Sequence, residues 1–185
     1  MIDDTLLEAE DKMDKTIESA KDDFATIRTG AASAAMFAKI AVDYYGAPTP
    51  LQQLASITTP DARTVHISPY DRGAMQGILT ALRNSDLGVN PTDDGAVIRI
   101  NMPQLTEERR KEYVKVARHR AEESRVAIRG IRRKAKDTID VAIKEGDVGE
   151  DEGARAEKEL DAMTKRHTDA IDALLAHKES ELLEV

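Results

Sequence analysis

Apolar side chains recur at Leu6, Met13, Ile17, Ala20, Phe24 and Ile27, in steps of three, four or seven. That spacing keeps one face of a helix apolar and predicts an amphipathic helix in the first arm, capped by Asp3 or Asp4. After Pro103 a second stripe runs through Val114, Ala117, Ala121, Ser124, Ile128, Ile131, Ala135, Thr138 and Ala142. This is the a/d alternation of a bundle helix, with Thr106 as its N-cap and Gly146 as its stop. Asp147, with Glu150 three residues on, reads as a capping box that opens a third helix. Its buried set is Ala156, Leu160, Met163, His167, Ala170 and Leu174. A second helix of about 40 residues would be roughly 60 Å long. None of the three covers its own stripe, and together they can, which predicts an elongated three-helix bundle.

Between the arms the period changes from helical to alternating. All six prolines (48, 50, 60, 69, 91 and 103) fall in this stretch, and interior proline costs a helix about 3 kcal/mol. "KIAVDYY", "QLASIT", "RTVHIS" and "AVIRINM" are short, rich in β-branched or aromatic residues, and bounded by Pro, Gly or Asp, as strands are. One amphipathic helix interrupts them, with Met75, Ile78, Leu79 and Leu82 on one face. "SDLGVNPTDDG" is a turn-rich connector. The expected architecture is α+β: a bundle from residues 1–30 and 105–185, with a small β/α/β sandwich domain, 31–104, inserted between its first two helices. Two crossings join the domains, at Gly30–Ala31 and Pro103–Gln104, and a hinge is expected there.

Composition narrows the chemistry. The chain has no cysteine, so it holds neither a disulfide framework nor thiolate metal sites, as suits a reducing cytosol. The acidic opening "MIDDTLLEAEDK" has neither a basic n-region nor an apolar h-region, so no signal peptide is expected. No stretch approaches the roughly 20 apolar residues of a membrane span. Phosphate loops, zinc-protease motifs and nucleophile elbows are missing, and His66, His119, His167 and His177 are scattered. His167, on the apolar seam, reads as a satisfied core histidine. Asp93–Asp94 reads as a solvated turn, and Tyr44–Tyr45 as core rather than a base-stacking pair. Neither an enzyme nor a cofactor is indicated.

Charge gives the positive signal. The net charge is −8, yet residues 106–145 carry 13 basic against 8 acidic residues, a net of +5, which leaves the remainder at −13. Lys111, Lys115, Arg118, Arg125, Arg129, Arg132, Arg133 and Lys136 fall within about 100° of arc on the second helix, away from its apolar stripe. From Ser124 to Lys136 the sequence holds no acid that could pair with them. A cationic strip on an acidic body is the footprint of a polyanion, most simply RNA phosphate. Two other readings stay open: a coiled-coil adaptor exposing an apolar stripe, and an enzyme with a pocket in the α/β domain.

"IRTG" at 27–30, "DYYGAPTPLQQLAS" at 43–56, "SDLGVNP" at 85–91, "PQLTEERRKE" at 103–112 and "VAIRGIRR" at 126–133 resemble, in order and spacing, the bacterial ribosome recycling factor family. The "ELLEV" ending resembles its actinobacterial branch. The resemblance implies an L-shaped, monomeric, cytoplasmic protein that is not an enzyme. Such a factor binds the post-termination ribosome between the subunits and, with elongation factor G and GTP, splits it. It also implies that Arg28, Arg109, Arg110, Arg129, Arg132 and Arg133 hold large-subunit ribosomal RNA; the strip adds Arg118, Arg125 and Lys136. Where the family has Arg and Pro after "RTG" this chain has Ala31 and Ala34, and Gly130 replaces an Asn.

Overall fold

The computed structural model describes residues 1–184; Val185, included in the expected bundle, lies outside them. Along the chain come α1 (Ile2–Ala25), β1 (Ala41–Tyr44), β2 (Ala47–Pro50), α2 (Leu51–Leu54), β3 (Ala55–Asp61), β4 (Thr64–Pro69), α3 (Met75–Arg83), β5 (Thr92–Asp93), β6 (Ile98–Asn101), α4 (Glu107–Lys144) and α5 (Glu150–Leu183). The fold is α+β. The chain forms two compact units, one of Met1–Phe24 with Lys115–Glu179, the other of Ala25–Val114 with the residues from Ser180 on.

In the first unit α1, α4 and α5 pack as a bundle. α1 buries Leu6, Met13, Ile17, Ala20 and Phe24 of the predicted stripe and adds Ile2 and Ala9; Ile27 is buried too, but beyond the helix end. α4 buries mostly alanines (Ala117, Ala121, Ala135 and Ala142) around Ile128 and Ile139, so its neighbours can approach closely. Met13, Ile128, Leu160 and Ile171 are almost wholly inaccessible, and each such side chain contributes about 1.5–3 kcal/mol of burial. Gly153 faces Ile143, where a Cβ would collide with the isoleucine side chain. His167 is a satisfied core histidine: its Nδ1 lies 2.7 Å from the Met163 carbonyl and its Nε2 2.6 Å from the Asp14 carboxylate.

The seam departs from the predicted one in detail. Thr138 is exposed and Ile139 is buried in its place; Ile171 is buried, while Ala170 and Leu174 are half-buried. A strict heptad reading assumes 3.5 residues per turn, and a straight helix drifts about 20° per heptad from it, so the seam slips to a neighbouring position. Helix ends differ too. α1 already begins at Ile2, which puts Asp3 and Asp4 inside its first turn, where they face the positive end of the helix dipole. Thr106 caps α4 as expected, its Oγ1 accepting from Arg109 N at 3.1 Å. After α4 the chain turns at Gly146, whose φ of +78° puts it in the left-handed region that favours glycine. Gly149, not Asp147, stands at the start of α5; its carbonyl accepts from Gly153 N at 2.9 Å.

The second unit contains two antiparallel sheets, β1–β2 and β3–β4–β6–β5. β1 and β2 join through Tyr45–Gly46, both at positive φ (+49° and +83°), the geometry of a type I′ turn. The alternation on β6 is clean: Ile98 and Ile100 point inward, Arg99 and Asn101 outward. These isoleucines pack with Val65, Ile67, Phe37, Ile78, Leu79 and Leu82 into one core. α3 presents the predicted face, and Gly77 lets it approach the Asp43 carbonyl, 2.8 Å from where a Cβ would stand. β2 is absent from the sequence-based expectation because Pro48 and Pro50 read as breakers. Among the described residues β2 pairs with β1 alone, so it is an edge strand, where residues lacking an N–H are tolerated. "QLASIT" begins in α2 rather than in a strand, and β5 is too short to show alternation.

Candidate nucleic-acid interface

The first-unit cations expected at the interface share one face of α4, and the structure adds what surrounds them. Arg118, Arg125 and Arg132 recur every seven residues on the side of α4 that borders α5. Each meets a carboxylate of α5: Arg118 Nε with Glu179 at 2.7 Å, Arg125 Nε with Asp172 at 2.8 Å, and Arg132 through both Nε and Nη2 with one oxygen of Asp161 at 2.7 Å. Arg125 also holds Glu122 at 3.0 Å, and Arg129 takes the other Glu122 oxygen at 2.8 Å. Lys136 lies 2.8 Å from Asp140 and 3.7 Å from Glu157. Arg133 is exposed and makes no ion pair among the described residues.

Those partners shape the electrostatics. Burial works against the charge of Arg125, but the bonds to Asp172 and Glu122 outweigh it and hold its pKa above the ordinary arginine value. The Lys136 pKa is also raised, first by its bond to Asp140 and then by the charges of Asp140 and Glu157. The strip is therefore partly neutralised within the folded chain. Between Ser124 and Lys136 the sequence holds no acid; Glu122 and Asp140 flank that stretch, and the partners on α5 lie 29 to 61 residues further along the chain. The available signal was Asp161, Asp172 and Glu179, spaced eleven and seven residues apart on the third helix, whole numbers of turns that keep them on one face.

Other expected residues lie elsewhere. Arg109 and Arg110 sit at the start of α4, in the second unit, with Arg109 3.7 Å from Glu112. Arg28, expected to face RNA, is only 6% exposed. Its Nη1 donates to the Leu87 carbonyl at 2.9 Å and its Nη2 to the Pro103 carbonyl, while Nε has no partner among the described residues. Burial pushes its pKa down, and nearby Tyr113 acts in the opposite sense. The guanidinium expected to face RNA is thus buried and spent on two main-chain carbonyls, as a brace would be. Of the expected hinge residues, Gly30, Ala31 and Gln104 line a cavity of about 430 Å³ with Ala62, Arg63 and Arg110. Pro103 supplies one of the carbonyls that Arg28 holds.

The tyrosine pair divides. Tyr44 is half-buried and donates to Asp71 at 2.7 Å, whereas Tyr45 is exposed at the hairpin tip. Asp93 and Asp94 accept from the Gly95, Ala96 and Val97 amides, as turn carboxylates do. Among the described residues no three His, Asp or Glu side chains are placed to share a metal ion, and no helix is long and apolar enough to cross a membrane.

A family model described as "Ribosome recycling factor" matches residues 20–183. The chain belongs to the ribosome recycling factor family. Ribosome-recycling factors of Beutenbergia cavernae and Kineococcus radiotolerans are each 67% identical to it over 185 residues, covering all of both chains. A solution structure of a ribosome recycling factor superimposes with a TM-score of 0.76 at 38% identity, covering 100% of this chain and 98% of the other. A second structure matches with a TM-score of 0.69 and 42% identity over the full length of both chains. It is of the T. thermophilus ribosome recycling factor, bound together with E. coli elongation factor G to the E. coli post-termination complex.

Proposed function

We propose that the protein binds the post-termination ribosome between its subunits and, with elongation factor G hydrolysing GTP, splits it for a new round of translation. It acts as a monomeric, cytoplasmic, non-enzymatic factor. The observation that carries this reading is full-length similarity to recycling factors, one of them bound with elongation factor G to the post-termination complex. The basic face of α4 supplies the physical means: phosphate contacts dominate the affinity of such interfaces and make it salt-dependent. In this reading Arg118, Arg125, Arg129, Arg132, Arg133 and Lys136 grip large-subunit ribosomal RNA, and Arg109 and Arg110 extend the contact. Residues 31–104 act as an inserted domain that turns about Gly30, Ala31, Pro103 and Gln104. Arg28 supports that joint rather than the RNA.

The test is twofold. Co-sedimentation with vacant ribosomes across a salt series should show affinity falling steeply as salt rises. Gradient analysis of post-termination complexes should show subunits appearing only when elongation factor G and GTP are both present. Salt-insensitive binding, or no splitting, would overturn the proposal.

A further inference from the structure

The arginines proposed to hold RNA are not idle in the free protein. Arg118, Arg125 and Arg132 each close on a carboxylate of α5, at 2.7, 2.8 and 2.7 Å. Asp161 and Asp172 are themselves 58% and 56% exposed, so water receives them readily when the pair opens. Each pair keeps at least one member well exposed, and surface pairs typically contribute about 0–1 kcal/mol to folding, so stability does not explain why three arginines in heptad register each meet a carboxylate. Their geometry resembles what a phosphate would meet. Asp161 presents one oxygen to two guanidinium nitrogens of Arg132, as a phosphate oxygen would.

We infer that Asp161, Asp172 and Glu179 are affinity-setting residues, internal anions that occupy Arg132, Arg125 and Arg118 until RNA phosphate displaces them. The inference rests on the RNA grip proposed above. Two effects follow from charge. In the free protein the carboxylates hold each guanidinium extended over the α4–α5 seam, so its orientation is set before RNA arrives. In the complex, the displaced carboxylates remain beside the phosphates and repel them, which lowers affinity for any polyanion that does not engage the unpaired Arg133 and the rest of the surface as well. A factor that must leave the ribosome after each round gains from a grip that is correctly aimed but not tight.

The experiment uses the full chain with Asp161→Asn, Asp172→Asn, the double variant, and Asp161→Glu, which keeps the anion. Arg133→Ala serves as a control on the grip itself. Binding is measured to vacant ribosomes and to polyuridylate at several salt concentrations, with melting temperature recorded for each variant. Each Asn variant should bind ribosomes about two- to five-fold more tightly at low salt, the worth of one exposed ion pair. Its salt slope should steepen by up to about 0.7–0.9, one extra counterion released per freed arginine. Polyuridylate binding should rise by a larger factor than ribosome binding, and Asp161→Glu should stay near wild type. Unchanged or weaker binding by the folded Asn variants, with Arg133→Ala still weakening it, overturns the inference and leaves the grip standing. If Arg133→Ala has no effect either, the grip has failed and the inference with it.

Discussion

Replacing Arg28 separates two roles that sequence alone cannot distinguish. In Arg28→Ala the carbonyls of Leu87 and Pro103 lose their donor. Hydrogen bonds from a charged group contribute about 1.5–3 kcal/mol each, so the loss is about 3–6 kcal/mol before compensation. Removing the guanidinium also relieves its own burial and the unpaired Nε, which returns about 1–3 kcal/mol. The net expectation is a destabilisation of about 2–3 kcal/mol. For a chain of this size that lowers the melting temperature by about 5–10 °C. Arg28→Lys keeps a charge but cannot reach both carbonyls as a fork, so it should recover only part of the loss. Thermal and urea unfolding of both variants measure the effect, and ribosome pelleting of the folded fraction measures binding. A melting temperature within about 1 °C of wild type, together with a salt-dependent loss of binding, would refute the brace and return Arg28 to the RNA surface.

Gly130→Ala should raise stability by about 1 kcal/mol, because Gly130 lies inside α4 with open space where a Cβ would stand; Gly130→Asn should gain less, and calorimetry checks both. Thr106→Ala removes the cap on Arg109 N and should cost about 1 kcal/mol in a thermal melt, whereas Thr106→Ser should keep most of it. The Asp71 carboxyl is held below its ordinary pKa, first by the Tyr44 hydroxyl and then by the Gly73 amide. A carboxylate depressed in the folded state adds stability above its unfolded pKa, near about pH 4, and loses it as pH falls through the lower folded value. The urea midpoints of wild type and Tyr44→Phe should therefore differ at pH 6 and converge towards pH 3; a constant gap would mean that Asp71 does not mediate the effect.

What could be read from the chain and what could not divides along the range of the forces involved. The stripes of α1 and α3 and the alternation of β6 are local patterns, and each stands where it was expected. The cap at Thr106 is local as well. The misreadings arise where a distant partner decides. Pro48 and Pro50 look like breakers until β1 is seen to pair beside them on an edge strand. The burial of Arg28 cannot be seen until Leu87 and Pro103 arrive from 59 and 75 residues away. The arginines of α4 look unopposed until α5 folds back with its carboxylates. Charge along one helix can be counted from sequence; the charge it experiences depends on the helix beside it.

The prolines of β2 have a consequence beyond their own hairpin. An open sheet edge invites another chain to add a strand, and that is a common route to aggregation. Here three of the four sheet rims are poor templates, and the fourth, β1, is only four residues long. β2 offers a four-residue rim with two prolines, β3 carries Pro60 and a break in register between Thr58 and Asp61, and β5 is two residues long. Copies of the molecule that meet find little continuous backbone to zip together, because each rim is short or interrupted.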